Sequence, residues 1–248
     1  MDAVPITERL NKKYPFIDSV SIYEGISYIL NDQMIAVSCI KDILTDIEVA
    51  IKLIVEKLKS NNNSRLIYCG AGTSGRIGVQ DGVELYPTFG WPLERLEFIL
   101  AGGKKALLEP IENSEDDIYM AEKEFHLKNI DKSDVVFAIS ASGNTPFTNK
   151  LQELAFNKNA LTITICNNPK ANLIKFGNVS LILDTREEIL AGSTRLKAGT
   201  AQKICLNMIS TSIMTRLGFV KSGMMSNLLP MNEKLRQRQV EIQKNIND

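Results

Sequence analysis

Two stretches decide the fold of this chain: residues 65–75, which read RLIYCGAGTSG, and residues 134–145, which read DVVFAISASGNT. Each begins with an apolar run typical of a buried strand and continues into Gly, Ser and Thr before a helical pattern. The start of a helix offers free backbone N–H groups and the positive end of its dipole, and hydroxyls add further donors. Two such loops in one chain predict a ligand with a phosphate and several hydroxyls, such as a sugar phosphate.

Strand and helix patterns alternate through the middle of the chain. The predicted strands are short and apolar, at residues 65–69, 96–100, 134–140, 161–166 and 179–183. Helical spacing is found at residues 74–85, 104–109, 115–127, 145–157 and 199–217. This alternation predicts an α/β fold with a parallel, doubly wound sheet. Because ligands of such sheets bind at the carboxyl ends of the strands, both loops are expected at one site.

The flanking segments are expected to be helical. Residues 1–20 resemble an irregular arm, the apolar residues from Ile22 to Leu30 fit one helix, and those from Ile35 to Leu58 fit a long second one. A charged helix is expected from about Met231. The simplest organisation is a single domain over residues 1–248. It has an N-terminal arm and helices in 1–60, a core in 61–220 and a C-terminal helical segment in 221–248.

Composition argues against several classes of partner. Lys plus Arg equals Asp plus Glu at 29 each, so nothing favours nucleic acid or a membrane surface. No apolar run approaches the ~18–20 residues that span a bilayer, and the first 30 residues lack a secretory apolar core. The cytoplasm is therefore expected. The four cysteines are widely spaced and His126 is the only histidine, so a metal site is not expected.

The first loop also contains a G-x-G-x-x-G pattern, at Gly70, Gly72 and Gly75, which raises a dinucleotide-binding alternative. That motif includes an acidic residue at the end of the second strand, which binds the ribose. Here residues 96–100 are followed by Ala101-Gly102-Gly103, which argues against dinucleotide binding. The alternative for each loop is a tight turn with no ligand-binding role, since Gly and Ser are common in turns. Both loops at one sheet edge favour the phosphate interpretation.

Several motifs resemble those of the bacterial N-acetylmuramic acid 6-phosphate etherases, relatives of the glucokinase regulatory protein. The similar segments are Gly70–Arg76, Glu84, Pro87–Gly90, Ala141–Pro146, Gly192–Lys203, Asn207-Met208, Asn232–Leu235, Thr7-Glu8 and Asn11. The resemblance implies a three-layer sugar isomerase (SIS) domain, in which a five-stranded parallel flavodoxin-like sheet lies between helices, with an N-terminal helical extension. It also implies a homodimer with its site near the subunit interface, no cofactor, and a role in peptidoglycan recycling.

The resemblance further implies a reaction and its residues. The lactyl ether at C3 of the sugar is cleaved to D-lactate and N-acetylglucosamine 6-phosphate, with Glu84 assisting lactate departure and Glu115 as the base at C2. From the sequence alone, a glutamate in either position is more often a solvated surface charge, and only the motif match favours the catalytic interpretation. The residues expected to bind the phosphate or the substrate lie on three segments: Gly72, Thr73, Ser74, Ser140, Ser142, Gly143, Asn144, Thr145 and Lys197. A non-catalytic sugar-phosphate-binding regulator and a sugar-phosphate isomerase remain alternatives.

Overall fold

A five-stranded parallel sheet forms the centre of the molecule, which a computed structural model describes over residues 4–230 and 236–237. The strands are β1 (Leu66–Gly70), β2 (Leu96–Leu100), β3 (Val135–Ser140), β4 (Leu161–Cys166) and β5 (Val179–Ile182). Their spatial order is β2-β1-β3-β4-β5, which is the flavodoxin-like arrangement. All five strands predicted from the sequence are confirmed.

Helices cover both faces of this sheet. The α-helices of the described residues are α1 (Ile22–Lys41), α2 (Leu44–Ser60), α3 (Gly72–Val83), α4 (Leu85–Phe89), α5 (Ile118–Leu127), α6 (Pro146–Asn157) and α7 (Lys197–Arg216). On one face lie α2, α3 and α7, with α1 packed on α7, and on the other lie α5 and α6. This three-layer α/β architecture is the one that the sequence predicts.

The strands are mostly apolar because both faces of the sheet are covered. Every residue of β1, β3 and β4 is buried. Side chains of a strand alternate between faces, so Leu66 and Tyr68 join one core while Ile67 and Cys69 join the other. These two cores hold the helices against the sheet and fix where each strand ends.

The boundary expected between the first two helices is wrong. A capping box of Ser21 and Glu24 starts α1, which continues through residue 35 and ends at Lys41. Asp42 and Ile43 form the turn before α2. The spacing of apolar residues did not reveal this break, because Ile40, Ile43 and Ile47 continue the helical spacing across it and are all buried in the same core.

Two other helical expectations also differ from the structure. The segment at 104–109 is a short 3₁₀ helix, Lys104–Leu107, and the C-terminal segment from residue 221 starts in a hairpin rather than a helix. That hairpin pairs β6 (Val220–Lys221) with β7 (Met224–Met225). Ser222 and Gly223 between them both have positive φ, which suits a two-residue hairpin turn. The charged helix expected from Met231 lies outside the described residues apart from positions 236–237, which are helical.

We predict that Gly75→Ala destabilises the protein. An added β-carbon would lie 2.2 Å from Leu100 Cδ1 and 2.8 Å from the carbonyl carbon of Gly70. Overpacking of this kind costs about 1–3 kcal/mol, measurable as a lower urea midpoint. The matched control is Gly25→Ala, also in a helix, where the nearest atom is 3.7 Å away and no loss is expected. Equal midpoints for wild type and Gly75→Ala would contradict the close contact.

Candidate functional site

The first loop joins β1 directly to α3. The strand ends at Gly70, Ala71 is the N-cap, and the helix begins at Gly72, whose φ is +51°. Gly70 has no room for a side chain, since a β-carbon there would meet the Ile139 carbonyl oxygen at 2.8 Å and Gly75 at 2.9 Å. The absence of side chains lets the N-terminus of α3 sit against the ends of β1 and β3.

The second loop joins β3 to α6 and is held by its own polar groups. The hydroxyl oxygens of Ser140 and Thr145 lie 3.0 Å apart, and Ser140 Oγ accepts from the Gly143 N–H at 3.1 Å. Gly143 has φ of +64°, and a β-carbon there would lie 2.2 Å from Ala171 Cβ. Pro146 at the first position of α6 is preorganised for a helix start. The loop therefore presents hydroxyls at a second helix N-terminus.

The two loops line one pocket of about 230 Å³. Since β1 and β3 are neighbours in the sheet, their carboxyl ends bring both loops to the same edge. Five of the residues expected to bind phosphate meet here: Thr73, Ser74, Ser140, Ser142 and Thr145. Every one is a hydroxyl donor next to a helix N-terminus, which is the arrangement that suits an oxyanion.

Of the two glutamates expected to carry out chemistry, only Glu115 enters this pocket. It lies in the 3₁₀ helix Ser114–Asp116, and its Oε1 is so near Gly72 that a β-carbon there would be 3.0 Å away. Glu84 is exposed and caps the far end of α3. It follows Gly72 by twelve residues, or about 18 Å along the helix axis. In a single chain the two carboxylates are therefore apart.

Asn144 turns away from the pocket. Its Oδ1 accepts from the Asn172 N–H at 3.0 Å, and the residue lines a neighbouring cavity of about 500 Å³. Gly143 does not line the pocket either, and its N–H donates to Ser140 Oγ within the loop. These two residues shape the second loop instead.

Lys197 also lies away from the pocket. Its side chain is 1% exposed and its Nζ donates to Asp32 Oδ1 at 2.8 Å and to the Glu187 carbonyl. Lys197 was expected to bind the phosphate or the substrate, but the structure places it in a buried ion pair with Asp32, which joins α1 to α7. Sequence reasoning missed this pairing because the two residues lie 165 positions apart.

A buried carboxyl completes this cluster at the start of α7. Glu188 accepts from the Ala198 N–H at 2.9 Å and the Lys197 N–H at 3.3 Å. Burial raises the pKa of Glu188, while these N–H groups and the Lys197 ammonium oppose the rise. The Glu188 carboxylate thus holds the segment that precedes α7 against the first turn of α7.

Three residues that line the pocket were not predicted as site residues. Glu8 comes from the N-terminal 3₁₀ helix Ile6–Glu8, and Gly192 and Thr194 come from the segment before α7. The Gly192 N–H donates to the Thr7 carbonyl at 3.0 Å, which ties the two segments together. Their only signal in the sequence was membership of the motifs that carry the family resemblance.

Residues 4–230 and 236–237 contain no group of three His, Cys, Asp or Glu side chains arranged to hold a metal ion. Within the same residues, no helix combines the length and apolar character needed to span a bilayer.

Comparison with known proteins identifies similar domains and relatives. Residues 48–157 match the glucokinase regulatory protein N-terminal SIS domain, and residues 116–212 match the SIS domain. The chain is 39% identical to the N-acetylmuramic acid 6-phosphate etherase of Deinococcus radiodurans over 94% of this chain and 75% of that protein. It is 40% identical to N-acetylmuramic acid 6-phosphate etherase 1 of Enterococcus faecalis, over 95% of this chain and 78% of that protein.

Solved structures show the same fold at low sequence identity. A Bacteroides fragilis protein superposes with a TM-score of 0.61 at 21% identity, covering 82% of this chain and 95% of its own. A phosphoheptose isomerase from Neisseria gonorrhoeae superposes with a TM-score of 0.57 at 15% identity, covering 79% of this chain and 100% of its own.

We predict that Asp32→Asn destabilises the protein by about 3–5 kcal/mol, because it leaves the Lys197 ammonium buried without its counter-ion. Urea unfolding measures the loss. The double change Asp32→Leu with Lys197→Met removes both charges and is expected to recover most of it. Lys52→Ala, which breaks an exposed pair with Glu48, serves as the control and should cost less than about 1 kcal/mol. A single and a double variant of equal stability would show that packing, not charge, sets the loss.

Proposed function

The chain belongs to the N-acetylmuramic acid 6-phosphate etherase family, and on this basis we infer that it cleaves the lactyl ether at C3 of N-acetylmuramate 6-phosphate. The products are D-lactate and N-acetylglucosamine 6-phosphate. The observation that carries this inference is the convergence of two hydroxyl-rich helix N-termini on one pocket that also contains Glu115. The two helix N-termini can bind the phosphate, and Glu115 can take part in proton transfer.

The phosphate is proposed to bind between the two loops. The hydroxyls of Thr73, Ser74 and Ser142 line the pocket, together with the Ser140 and Thr145 pair. Each hydrogen bond to a charged acceptor contributes roughly 1.5–3 kcal/mol. Several such bonds would fix one end of the sugar and hold C2 and C3 in a constant position.

The proposed chemistry is an elimination followed by addition of water. Ring opening exposes an aldehyde at C1, which acidifies the proton on C2. Glu115 is proposed to take that proton; the C–H electron pair forms the C2–C3 double bond, and the C3–O bond breaks as an acid protonates the leaving lactyl oxygen. Water then returns a hydroxyl to C3 and a proton to C2. The route needs two protonic groups and no covalent nucleophile.

We propose that the second group, Glu84, reaches the pocket of a partner subunit in a homodimer. Two features of the single chain support this. Glu84 is exposed and lies at the end of α3 remote from Gly72. In addition, the pocket of about 230 Å³ is smaller than the ~300–1,000 Å³ typical of ligand sites, as expected where a second chain completes the wall.

A stripe of apolar residues on α1, which no other described residue covers, further supports a second chain. Its members are large residues between 49% and 87% exposed: Ile22, Tyr23, Ile26, Leu30, Met34 and Val37. Contiguous exposed apolar surface of this kind marks an interaction site. We propose that this stripe forms part of the homodimer contact.

We propose the cytoplasm as the site of action. The chain keeps four free cysteines, all buried, and burial raises the pKa of the Cys39 and Cys166 thiols to about 11. Reduced thiols of this kind suit a reducing compartment.

We predict that the purified chain releases D-lactate from N-acetylmuramate 6-phosphate, and that Glu115→Gln lowers kcat by at least about 100-fold, as loss of a general base does. An enzymatic D-lactate assay measures both. The control is Glu112→Gln, an exposed carboxylate three residues away that does not line the pocket. Binding of the sugar phosphate without any lactate release by wild type would instead support the non-catalytic regulator.

Mixing variants tests the shared site. Glu84→Gln and Glu115→Gln should each be nearly inactive alone. After unfolding and refolding together in equal amounts, half of the dimers would be mixed and each would hold one complete site, giving roughly a quarter of wild-type activity. Light scattering checks that the mixture is dimeric. If both glutamates act within one chain, no mixed dimer has a complete site and no activity returns.

A further inference from the structure

The N-terminal arm brings a second carboxylate into the pocket. Glu8 lines it together with Glu115 and Thr194. Among the described residues, the Glu8 side chain has no ion pair or hydrogen bond of its own. A carboxylate that faces a polar pocket and is left without an internal partner is available to a ligand.

The backbone that presents Glu8 is firmly held. Thr7 is fully buried and its carbonyl accepts from the Gly192 N–H at 3.0 Å. Farther along the arm, Asn11 Nδ2 donates to the Glu187 carbonyl at 3.1 Å. The Glu8 N–H itself donates to the Pro5 carbonyl at 3.0 Å. The arm is therefore anchored at two points to the segment before α7, which holds the backbone of Glu8 at the pocket wall while its side chain is exposed.

The pocket has two kinds of lining. Its loops supply hydroxyl donors and helix N-termini, which bind an anion. Glu8 and Glu115 can only accept hydrogen bonds when ionised, and they repel a second anion placed beside them. A ligand that fits both must carry its phosphate toward the loops and neutral O–H or N–H groups toward the carboxylates.

We propose that Glu8 is a substrate-binding residue whose carboxylate accepts hydrogen bonds from the hydroxyl or amide hydrogens of the sugar. The identity of that sugar rests on the proposed function. Glu8 thereby favours a sugar phosphate over phosphate alone, because inorganic phosphate gains nothing from the acceptor and is repelled by its charge.

The test compares two ligands in one variant. Calorimetry of Glu8→Ala with N-acetylglucosamine 6-phosphate should show about 10- to 100-fold weaker binding, the loss of a hydrogen bond to a charged group. Inorganic phosphate should bind the same variant equally well or more tightly. Glu8→Gln, which keeps an acceptor oxygen, should lose less. The control is Asp18→Ala, an exposed acid later in the same arm that does not line the pocket.

Two outcomes overturn the proposal. Unchanged binding of the sugar phosphate by Glu8→Ala would mean that the carboxylate does not contact it. Equal weakening for both ligands would mean that Glu8 acts on the shape of the phosphate loops. The lactate assay separates this proposal from the reaction: wild type that binds the sugar phosphate through Glu8 but releases no lactate retains the former and refutes the latter.

Discussion

The close approach of β1, β3 and α3 at Gly70 is the constraint on which the site depends. At this point a β-carbon would lie 2.8 Å from the Ile139 carbonyl and 2.9 Å from Gly75, so the three backbones are in direct contact. Only that contact allows α3 to start at the sheet edge itself. The hydroxyls of Thr73 and Ser74 then face the loop that leaves β3 after Ser140, across one small pocket.

A second constraint is electrostatic. The described residues lining the pocket include neither lysine nor arginine, although its proposed ligand is an anion. Lys197 of the Gly192–Lys203 motif is paired with Asp32 and joins α7 to α1. The proposed binding would therefore rely on helix N-termini and hydroxyls, whose fixed dipoles act over a short range. Such a site selects for the position of the phosphate and adds little attraction for anions in general.

The sequence predicted those parts of the fold that depend on local pattern. Strands that are covered on both faces form mostly apolar runs in the sequence, so the five strands could be predicted. The Gly- and Ser-containing loops that follow two of these runs predicted the edge of the sheet at which the pocket lies. The break between α1 and α2 was not predicted, because Ile40 and Ile43 keep the apolar period across it. Local pattern likewise says nothing about contacts between distant segments.

Such distant contacts explain the remaining differences at the site. Lys197 was expected among the residues that bind the ligand, yet its partner Asp32 lies on another helix. Asn144 lies within the second loop, but its side-chain oxygen accepts from the N–H of residue 172. Glu8 enters only because the arm crosses to Gly192. In each case a residue is positioned by a contact with a distant segment that no spacing rule identifies.

The positions of the three glutamates constrain the mechanism together. Elimination across C2 and C3 requires its two proton-transfer groups within hydrogen-bond reach of neighbouring atoms of one ligand. Glu115 and Glu8 are the two carboxylates of one chain that could approach the same ligand, since both line the pocket. Glu84 cannot, because the length of α3, about 18 Å, lies between it and Gly72. An acid at Glu84 therefore entails a second subunit. If the enzyme instead works as a single chain, Glu8 is the other carboxylate among the described residues lining the pocket, so a protonated Glu8 would have to serve as the acid in place of Glu84.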